Sequence, residues 1–542
     1  AFLDLQLKES TLSSDYPQMY INIPRTIVIS TELFDVFMEE NQLIAQAMED
    51  RSDREILELF LKASLPKDLE ENLRAILNVL TTPLAVRSSS LLEDSHYQPF
   101  AGIYETCMIP NNQEDFEHRL ADLSSAVKCV YASTYFQSSK DYLKATNHMI
   151  EEEKMAVVIQ RITGSIYADR CYPNFSGVAR SLNYYPIEQE RPEDGIAYMA
   201  FGFGKTVVDN LGTSLRFSPK YPKKIMQLSE MNSTLKDTQQ YFYALDMQSR
   251  FSPLEGSTEN LKQVSIQEAV SDGSMKLIAS TYDEQNFIVR DSAAGPGRKV
   301  ITFAGLLKYS LLPIAKIIHD LLKLGEQVLN VPIEIEFAGN LDKQPKQPEF
   351  SVLQIRPIVA GYEAGDIHIT PELMKNALIH SSKAMGNGKF DDLQDVVYIR
   401  PDAFNPAQTK EMAQTISEIN EQFLQRREGY ILVVAGRLGS SDPWLGIPTT
   451  WSQITHARVI VEMGLEHFQV EPSQGTHFFQ NLTSLRNAYM TINPARKQGC
   501  FAHQQLDRLE AEHETKFIRH VRLPKALDVR IDGKTGKGVI SL

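Results

Sequence analysis

Two short stretches constrain this chain more than any other feature: PIEIEF at 332–337 and FSVLQIRPI at 350–358. Each has the composition of a strand, with polar residues at i and i+2 inside an apolar run. Side chains at that spacing share one face of a strand. Glu334 and Glu336 therefore project together, as do Gln354 and Arg356. The AGNLDKQPKQPE segment between them is rich in Gly, Pro and Asn and reads as a hairpin connection. The predicted product is a sheet face carrying two carboxylates, an amide and a guanidinium, backed by Ile, Val, Leu and Phe. Burying such groups is costly unless they pair or meet a ligand, and a structural ion-pair cluster is the plainer alternative. Carboxylate and amide oxygens suit Mg²⁺, a hard cation that keeps waters and substrate phosphates. A guanidinium beside them suits phosphate. The combination points to a metal–nucleotide site.

A chain of 542 residues has room for two or more domains. A formal charge of −14 argues against non-specific binding to nucleic acid or an anionic membrane, while leaving room for a local basic pocket. The four cysteines, Cys107, Cys129, Cys171 and Cys500, form no CxxC pair, which fits a reducing cytoplasm better than a disulfide framework. No apolar run approaches the length of a membrane span. The opening AFLDLQL is too short for a signal sequence. Because the chain opens on Ala1, it reads as a fragment or a trimmed product.

Periodicity places a strand at TIVIS, then a helix capped by Thr31, and further helices through 51–65, 69–80 and 114–150. AVR at 85–87, MAVVIQRI at 155–162 and FSGVAR at 175–180 read as strands. IAYMAFGFGKTVVDN has a strand–glycine-loop form. The 216–280 stretch reads as an irregular insertion with some helix, and LLPIAKIIHDLLKLGEQVL as an amphipathic helix started or kinked at Pro313. After Ala360 the character changes to a linker and then a separate α/β module.

Several of these segments carry chemistry with a bland alternative beside it. AVRSSSLLED is a strand feeding a hydroxyl-rich turn. Arg87 with Ser88, Ser89 and Ser90 can line an anion site, or the turn can be a solvated surface feature. In FGFGKTVV, Gly202 and Gly204 can admit a nucleotide close to the backbone, or simply make a turn. The GxxxxGK[ST] spacing of a Walker loop is missing. MAVVIQ is either a plain core strand or an apolar wall for a purine, with Gln160 at its edge.

The order of these segments carries more than any one of them. AVRSSSLLED–FAGIYET, MAVVIQ, SGVA, GFGKTVV, EIEF and LQIRPI together resemble the N-terminal nucleotide-binding domain of the pyruvate phosphate dikinase and phosphoenolpyruvate synthase family. The resemblance covers about residues 20–360. It implies an ATP-grasp-type fold of two α+β subdomains, about 1–150 and 151–365, with ATP between them, followed by a separate α/β module over 366–542. On that pattern Arg87 and Arg356 contact the phosphates and act in transfer, and Gln160 sits in the adenine strand. Gly202 and Gly204 line the nucleotide. Glu336 and Gln354 hold Mg²⁺ with Glu334 beside them.

The departures are informative. Lys205 replaces the family's Glu in the glycine loop, and Arg180-Ser181 stand where the family has a Phe-Thr or Phe-Ser pair. The family's GGK segment is absent, as if the chain were cut just after its lysine. No swivelling domain with a carrier histidine is evident, nor is there room for the pyruvate barrel of roughly 250 residues. ITHARVIVEMG echoes the carrier motif through His456, read as lying before an apolar helix, with ordinary packing as the alternative. In VVAGRLGSSDPWLGIPTTW, Gly436, Arg437, Gly439, Ser440 and Asp442 form a loop that, with His477, suits an anion or acceptor. A packing loop anchored by buried Trp444 and Trp451 is the plainer reading.

The expectation is a cytoplasmic, ATP- and Mg²⁺-dependent phosphotransferase with an unidentified acceptor, releasing ADP or AMP. The alternative is a nucleotide-sensing module that binds ATP without catalysis.

Overall fold

In the computed structural model, apolar side chains of strands and helices pack into several buried clusters among the described residues. The structure describes residues 2–90, 104–146, 153–183, 190–208, 214–225, 228, 235, 238–256, 258–341, 347–358, 367, 369–386, 388–440, 442, 444–468, 482, 487–532 and 535–542. The chain divides into two compact units, the first made of most residues up to Pro357 and the second chiefly of Ile358–Leu542.

The first unit is mixed α+β. Its largest sheet has six strands in the order β1 (Tyr20–Asn22), β17 (Glu349–Pro357), β16 (Ile333–Asn340), β8 (Phe175–Arg180), β9 (Ile196–Ala200) and β10 (Leu215–Phe217). A second sheet runs β2 (Thr26–Ile29), β5 (Met155–Arg161), β3 (Leu84–Ser90) and β4 (Thr106–Ile109). The chain crosses between these sheets more than once: β1 precedes β2, and β8 of the larger sheet follows β5 of the smaller. The 216–280 stretch differs from the expected irregular, partly helical insertion. Its described regular structure is chiefly strand, with β11 (Tyr241–Asp246) and β12 (Leu261–Ser265) paired in a sheet with β7 (Arg170–Tyr172) and β6 (Ser165–Tyr167). Alternating polar and apolar residues there are half-buried strands, and the intervening polar residues hide the period. A small sheet of β14 (Ile288–Arg290), β13 (Ala279–Asp283) and β15 (Arg298–Ile301) follows.

Helix Ile314–Leu329 begins directly after Pro313, so the proline starts the helix rather than kinking it, and Asn330 ends it in the left-handed region. Its apolar face lies under the large sheet. Gly325 allows the close approach, since a Cβ there would come within 2.3 Å of Ile333 Cδ1. Ile333, Ile335 and Phe337 point into this core together with Phe175, Met199, Phe350 and Val352. Helix Asp53–Lys62 opens with a full capping box of Ser52 and Glu55. The helix at Thr31–Glu40 is preceded by Ser30 as its N-cap, not Thr31, one residue earlier than expected.

The second unit holds a seven-stranded mixed sheet. Its order is β19 (Ala384–Met385), β26 (Ala488–Ile492), β25 (Ala457–Met463), β22 (Tyr430–Ala435), β21 (Asp395–Ile399), β29 (Ile518–Arg522) and β28 (His513–Glu514), with β21, β22, β25 and β26 parallel. Helix Thr409–Arg426 supplies the crossover from β21 to β22. A five-stranded sheet of β20 (Gly388–Phe390), β30 (Asp528–Asp532), β31 (Lys537–Ser541), β18 (Ile379–Ser381) and β27 (Cys500–Phe501), and the pair β23 (Arg437–Leu438) and β24 (Gly446–Ile447), complete it. The ARVIVEM segment is strand β25, not the helix read after His456: β-branched Val459, Ile460 and Val461 are all buried between parallel neighbours. No described helix is long and apolar enough to cross a membrane.

Candidate functional site

The hairpin at 333–357 forms as its sequence demands, with Glu334 opposite Arg356 and Glu336 opposite Gln354. On the other side of β16, Glu334 faces Arg180 and Glu336 faces Val178 of β8. Two rows therefore cross three strands on one sheet face: Arg180–Glu334–Arg356, and Val178–Glu336–Gln354. A third row, Ser176–Ala338–Ser351, continues the same face. The opposite face of these strands carries the apolar core. Between Glu336 and Phe337 the pairing shifts, leaving Leu353 as an extra residue on β17.

Within the first row, Arg180 Nε donates to Glu334 Oε2 at 2.7 Å, and the two side chains are only 6% and 8% exposed. Arg356 is also buried. The second row is more open. Arg87, from β3 of the other sheet, places Nη2 at 3.0 Å from Glu336 Oε2 and 2.8 Å from Gln354 Oε1. Arg87 and Glu336 are 22% and 16% exposed. One guanidinium from the four-stranded sheet thus meets a carboxylate and an amide oxygen from the six-stranded sheet.

Gln160 lies on the same face of its sheet as Arg87. Its Nε2 donates to Thr26 Oγ1 at 3.0 Å and to the carbonyl of the bulged Leu353 at 3.4 Å, a second tie between the two sheets. Beside Arg87 on β5 stands half-buried Val158, and beside that on β2 stands Val28, 61% exposed. Polar Arg87 thus borders an apolar strip open to solvent.

The two loop glycines differ. Gly202 has φ +80°, and a Cβ there would come within 2.7 Å of the Tyr243 carbonyl oxygen, so the backbone itself requires glycine. A Cβ on Gly204 would meet only Ser176, at 3.8–3.9 Å, so the described packing does not require glycine there. Ser176 Oγ donates to the Gly202 carbonyl at 2.6 Å and so fixes this loop to the third row of the face. Lys205 Nζ lies 5.9 Å from the centre of the Tyr243 ring.

In the second unit, Trp444 is 67% exposed, which corrects the reading of it as a buried anchor. Asp442 Oδ1 accepts from the Trp444 backbone N–H at 2.9 Å, and this local turn holds the ring outward. His456 is half-buried, with its Nδ1 3.2 Å from Thr455 Oγ1. Burial, and then Arg458, lower its pKa. His477 lies outside the described residues, as does the LLED–FAG segment at 91–102. Cys107, Cys129 and Cys171 are buried free thiols, and Cys500 is exposed and free.

The structure therefore brings together Arg87, Glu334, Glu336, Gln354 and Arg356, with Gln160 beside them and the Gly202–Gly204 loop at the far row. From sequence, Arg180 stands out only as a departure from the family pattern. The available signal was an arginine closing an otherwise small and apolar SGVA strand. The carboxylate it meets is 154 positions away.

Among the described residues no three His, Cys, Asp or Glu side chains converge as a metal cluster. The Glu336 and Gln354 oxygens do converge on a single Arg87 nitrogen. A hard cation can take two protein oxygens at that point and complete its shell from phosphate and water, so the donor set fits Mg²⁺.

A mixed α+β unit with such a face belongs to a recognisable class. Over residues 8–376 the sequence matches the family described as pyruvate phosphate dikinase, AMP/ATP-binding domain, and the chain belongs to that family. It is also 29% identical, over 197 residues, to an uncharacterized phosphotransferase, YvkC, of Bacillus subtilis strain 168. That match takes in 34% of this chain and 20% of the relative, so the chain spans a minor part of that protein's length.

Proposed function

We propose that this protein binds ATP with Mg²⁺ on the face built by Arg87, Glu336, Gln354 and Arg356 and transfers a phosphoryl group to an acceptor. The observation that carries this reading is the meeting of Arg87 with Glu336 and Gln354. It brings an arginine of one sheet to a carboxylate and an amide oxygen of the other, which supports phosphate and metal binding at that point. Phosphoryl transfer needs mainly positioning and charge neutralisation, and these are the groups that supply them.

In this reading ATP lies between the sheet of β3 and the sheet of β16, in the domain over about 1–365, with the 366–542 module separate. The adenine rests on the Val158–Val28 strip, with Gln160 at its edge. Gly204 lets the phosphate chain approach the backbone. Arg87 exchanges its bonds to Glu336 and Gln354 for phosphate oxygens, and those two side chains turn to the cation. Arg356 grips the transferring phosphates. Mg²⁺, when bound, offsets negative charge on the phosphates. The fit of Gln354 as a ligand rests on its amide oxygen already accepting from a cation.

The test is chromatographic analysis of nucleotides after incubation with ATP and Mg²⁺, wild type beside Arg356→Ala. AMP formed by the wild type alone supports dikinase-type transfer, and ADP alone supports a simple kinase. Unchanged ATP, with binding retained, would favour the sensing module instead.

A further inference from the structure

The Gln160 side chain bridges the two sheets and is 5% exposed as a residue. Both of its hydrogen bonds are made by Nε2, to Thr26 Oγ1 at 3.0 Å and to the Leu353 carbonyl at 3.4 Å. Thr26 Oγ1 donates its one hydrogen to the Pro24 carbonyl at 2.8 Å. Toward Gln160 it can therefore only accept, and a backbone carbonyl can only accept as well. Two acceptors on one side of the amide fix the NH₂ group there and turn Oε1 the other way. Among the described residues nothing donates to Oε1.

The register places this amide beside the apolar strip. Thr26, Gln160 and Ala85 form one row across β2, β5 and β3, and Val28, Val158 and Arg87 form the next row on the same face. Two residues along a strand, about 7 Å, separate the rows. A purine resting on Val28 and Val158 thus presents an edge to Gln160. The group that meets Oε1 must be a donor. The exocyclic amine of adenine is one, whereas the oxo group of guanine or hypoxanthine is an acceptor.

We propose that Gln160 is the base-selecting residue of the nucleotide site, its Oε1 accepting from the exocyclic amine of adenine, and that Thr26 is the positioning residue that holds the amide in that orientation. This rests on the proposed function above and deepens it, since that reading sets adenine beside Gln160 without saying what distinguishes it from other bases. An oxo purine brings oxygen against oxygen. The amide cannot rotate to meet it without turning Oε1 onto the Thr26 and Leu353 oxygens, so the site selects by exclusion as well as by attraction.

The experiment is calorimetric titration of the full chain with ATP–Mg²⁺ and, separately, with inosine triphosphate–Mg²⁺, whose base carries an oxo group in place of the amine. Wild type should bind ATP at least about tenfold more tightly, the scale of one hydrogen bond. Gln160→Met should weaken ATP about tenfold and inosine triphosphate less than about twofold, bringing the ratio near one. Thr26→Val removes the acceptor that orients the amide and should lower the ratio several-fold. Thr26→Ser, which keeps the hydroxyl, should preserve it. The Thr26 pair carries the test even if Gln160→Met fails to fold. A purely structural role for either residue would lower both affinities together and leave the ratio as in wild type. A wild-type ratio near one, or an unchanged ratio in Gln160→Met or Thr26→Val, would overturn the proposal. Binding of neither nucleotide by the wild type would instead sink the nucleotide-site reading itself, whereas equal binding of both would remove only the base selection.

Discussion

Arg87 and Glu336 stand 249 positions apart in the chain and meet at 3.0 Å. The contact joins the four-stranded sheet to the six-stranded one, and Gln354 accepts from the same nitrogen at 2.8 Å. A surface ion pair contributes little to stability. This pair is partly shielded and shares its cation with an amide oxygen. Its value lies in placing three polar groups of complementary chemistry at one point.

The two glycines of the 202–204 loop should respond differently to alanine. Gly202→Ala meets both a positive φ and the Tyr243 carbonyl, and should cost about 2 kcal/mol of stability. Gly204→Ala has room within the fold and should leave the thermal midpoint within about 1 °C. Its ATP affinity should fall several-fold nonetheless. Thermal melts beside ATP titration distinguish the two effects, and undiminished affinity in Gly204→Ala would remove that loop from the site.

Val28 is exposed on the strip that borders Arg87. Val28→Asp adds a charge in water-accessible space, so the fold should persist. If the adenine rests there, affinity for ATP and for AMP should drop together, by roughly tenfold, the loss of about 1.4 kcal/mol of apolar contact. Equal affinities in variant and wild type would place the base elsewhere.

Glu153 is buried beside Tyr104, whose hydroxyl donates to Oε1 at 2.9 Å, while Oε2 has no partner among the described residues. Burial raises its pKa above the ordinary value near 4.5, with bonds from Ser90 and Tyr104 acting against the shift. A raised carboxyl pKa means that the folded state holds its proton more tightly than the unfolded state. Stability from this group is therefore present at low pH and is lost as pH rises from about 4.5 through the raised value. Glu153→Gln should raise the thermal midpoint by roughly 2 °C at pH 7–8. That gain should shrink as pH falls through about 4.5 and vanish by about pH 3, where wild-type Glu153 is protonated in both states. Melts across pH check the sign, and a loss of stability at pH 8 would contradict it.

Much of the site was legible because it rests on period-two spacing. Glu334 with Glu336 and Gln354 with Arg356 needed only the alternation of a strand and a turn-rich connection, and the hairpin register follows. What spacing cannot supply is the neighbour across a sheet. Arg180 reaches Glu334 because β8 lies beside β16, although some 150 residues separate them. The local rules also misread segments whose burial is two-sided. ARVIVEM lies between parallel strands, so it lacks alternation and passes for an apolar helix. Residue type alone places Trp444 in the interior, but the turn at Asp442 sets its direction outward.

The most direct measurement is titration of ATP–Mg²⁺ into wild type, Arg87→Ala and Glu336→Gln, followed by calorimetry. A single nucleotide site built from both sheets predicts saturable binding to the wild type and at least about tenfold weaker binding to each variant. The Glu336→Gln loss should shrink when magnesium is omitted, while the Arg87→Ala loss should persist. Affinities in both variants equal to wild type would contradict the account.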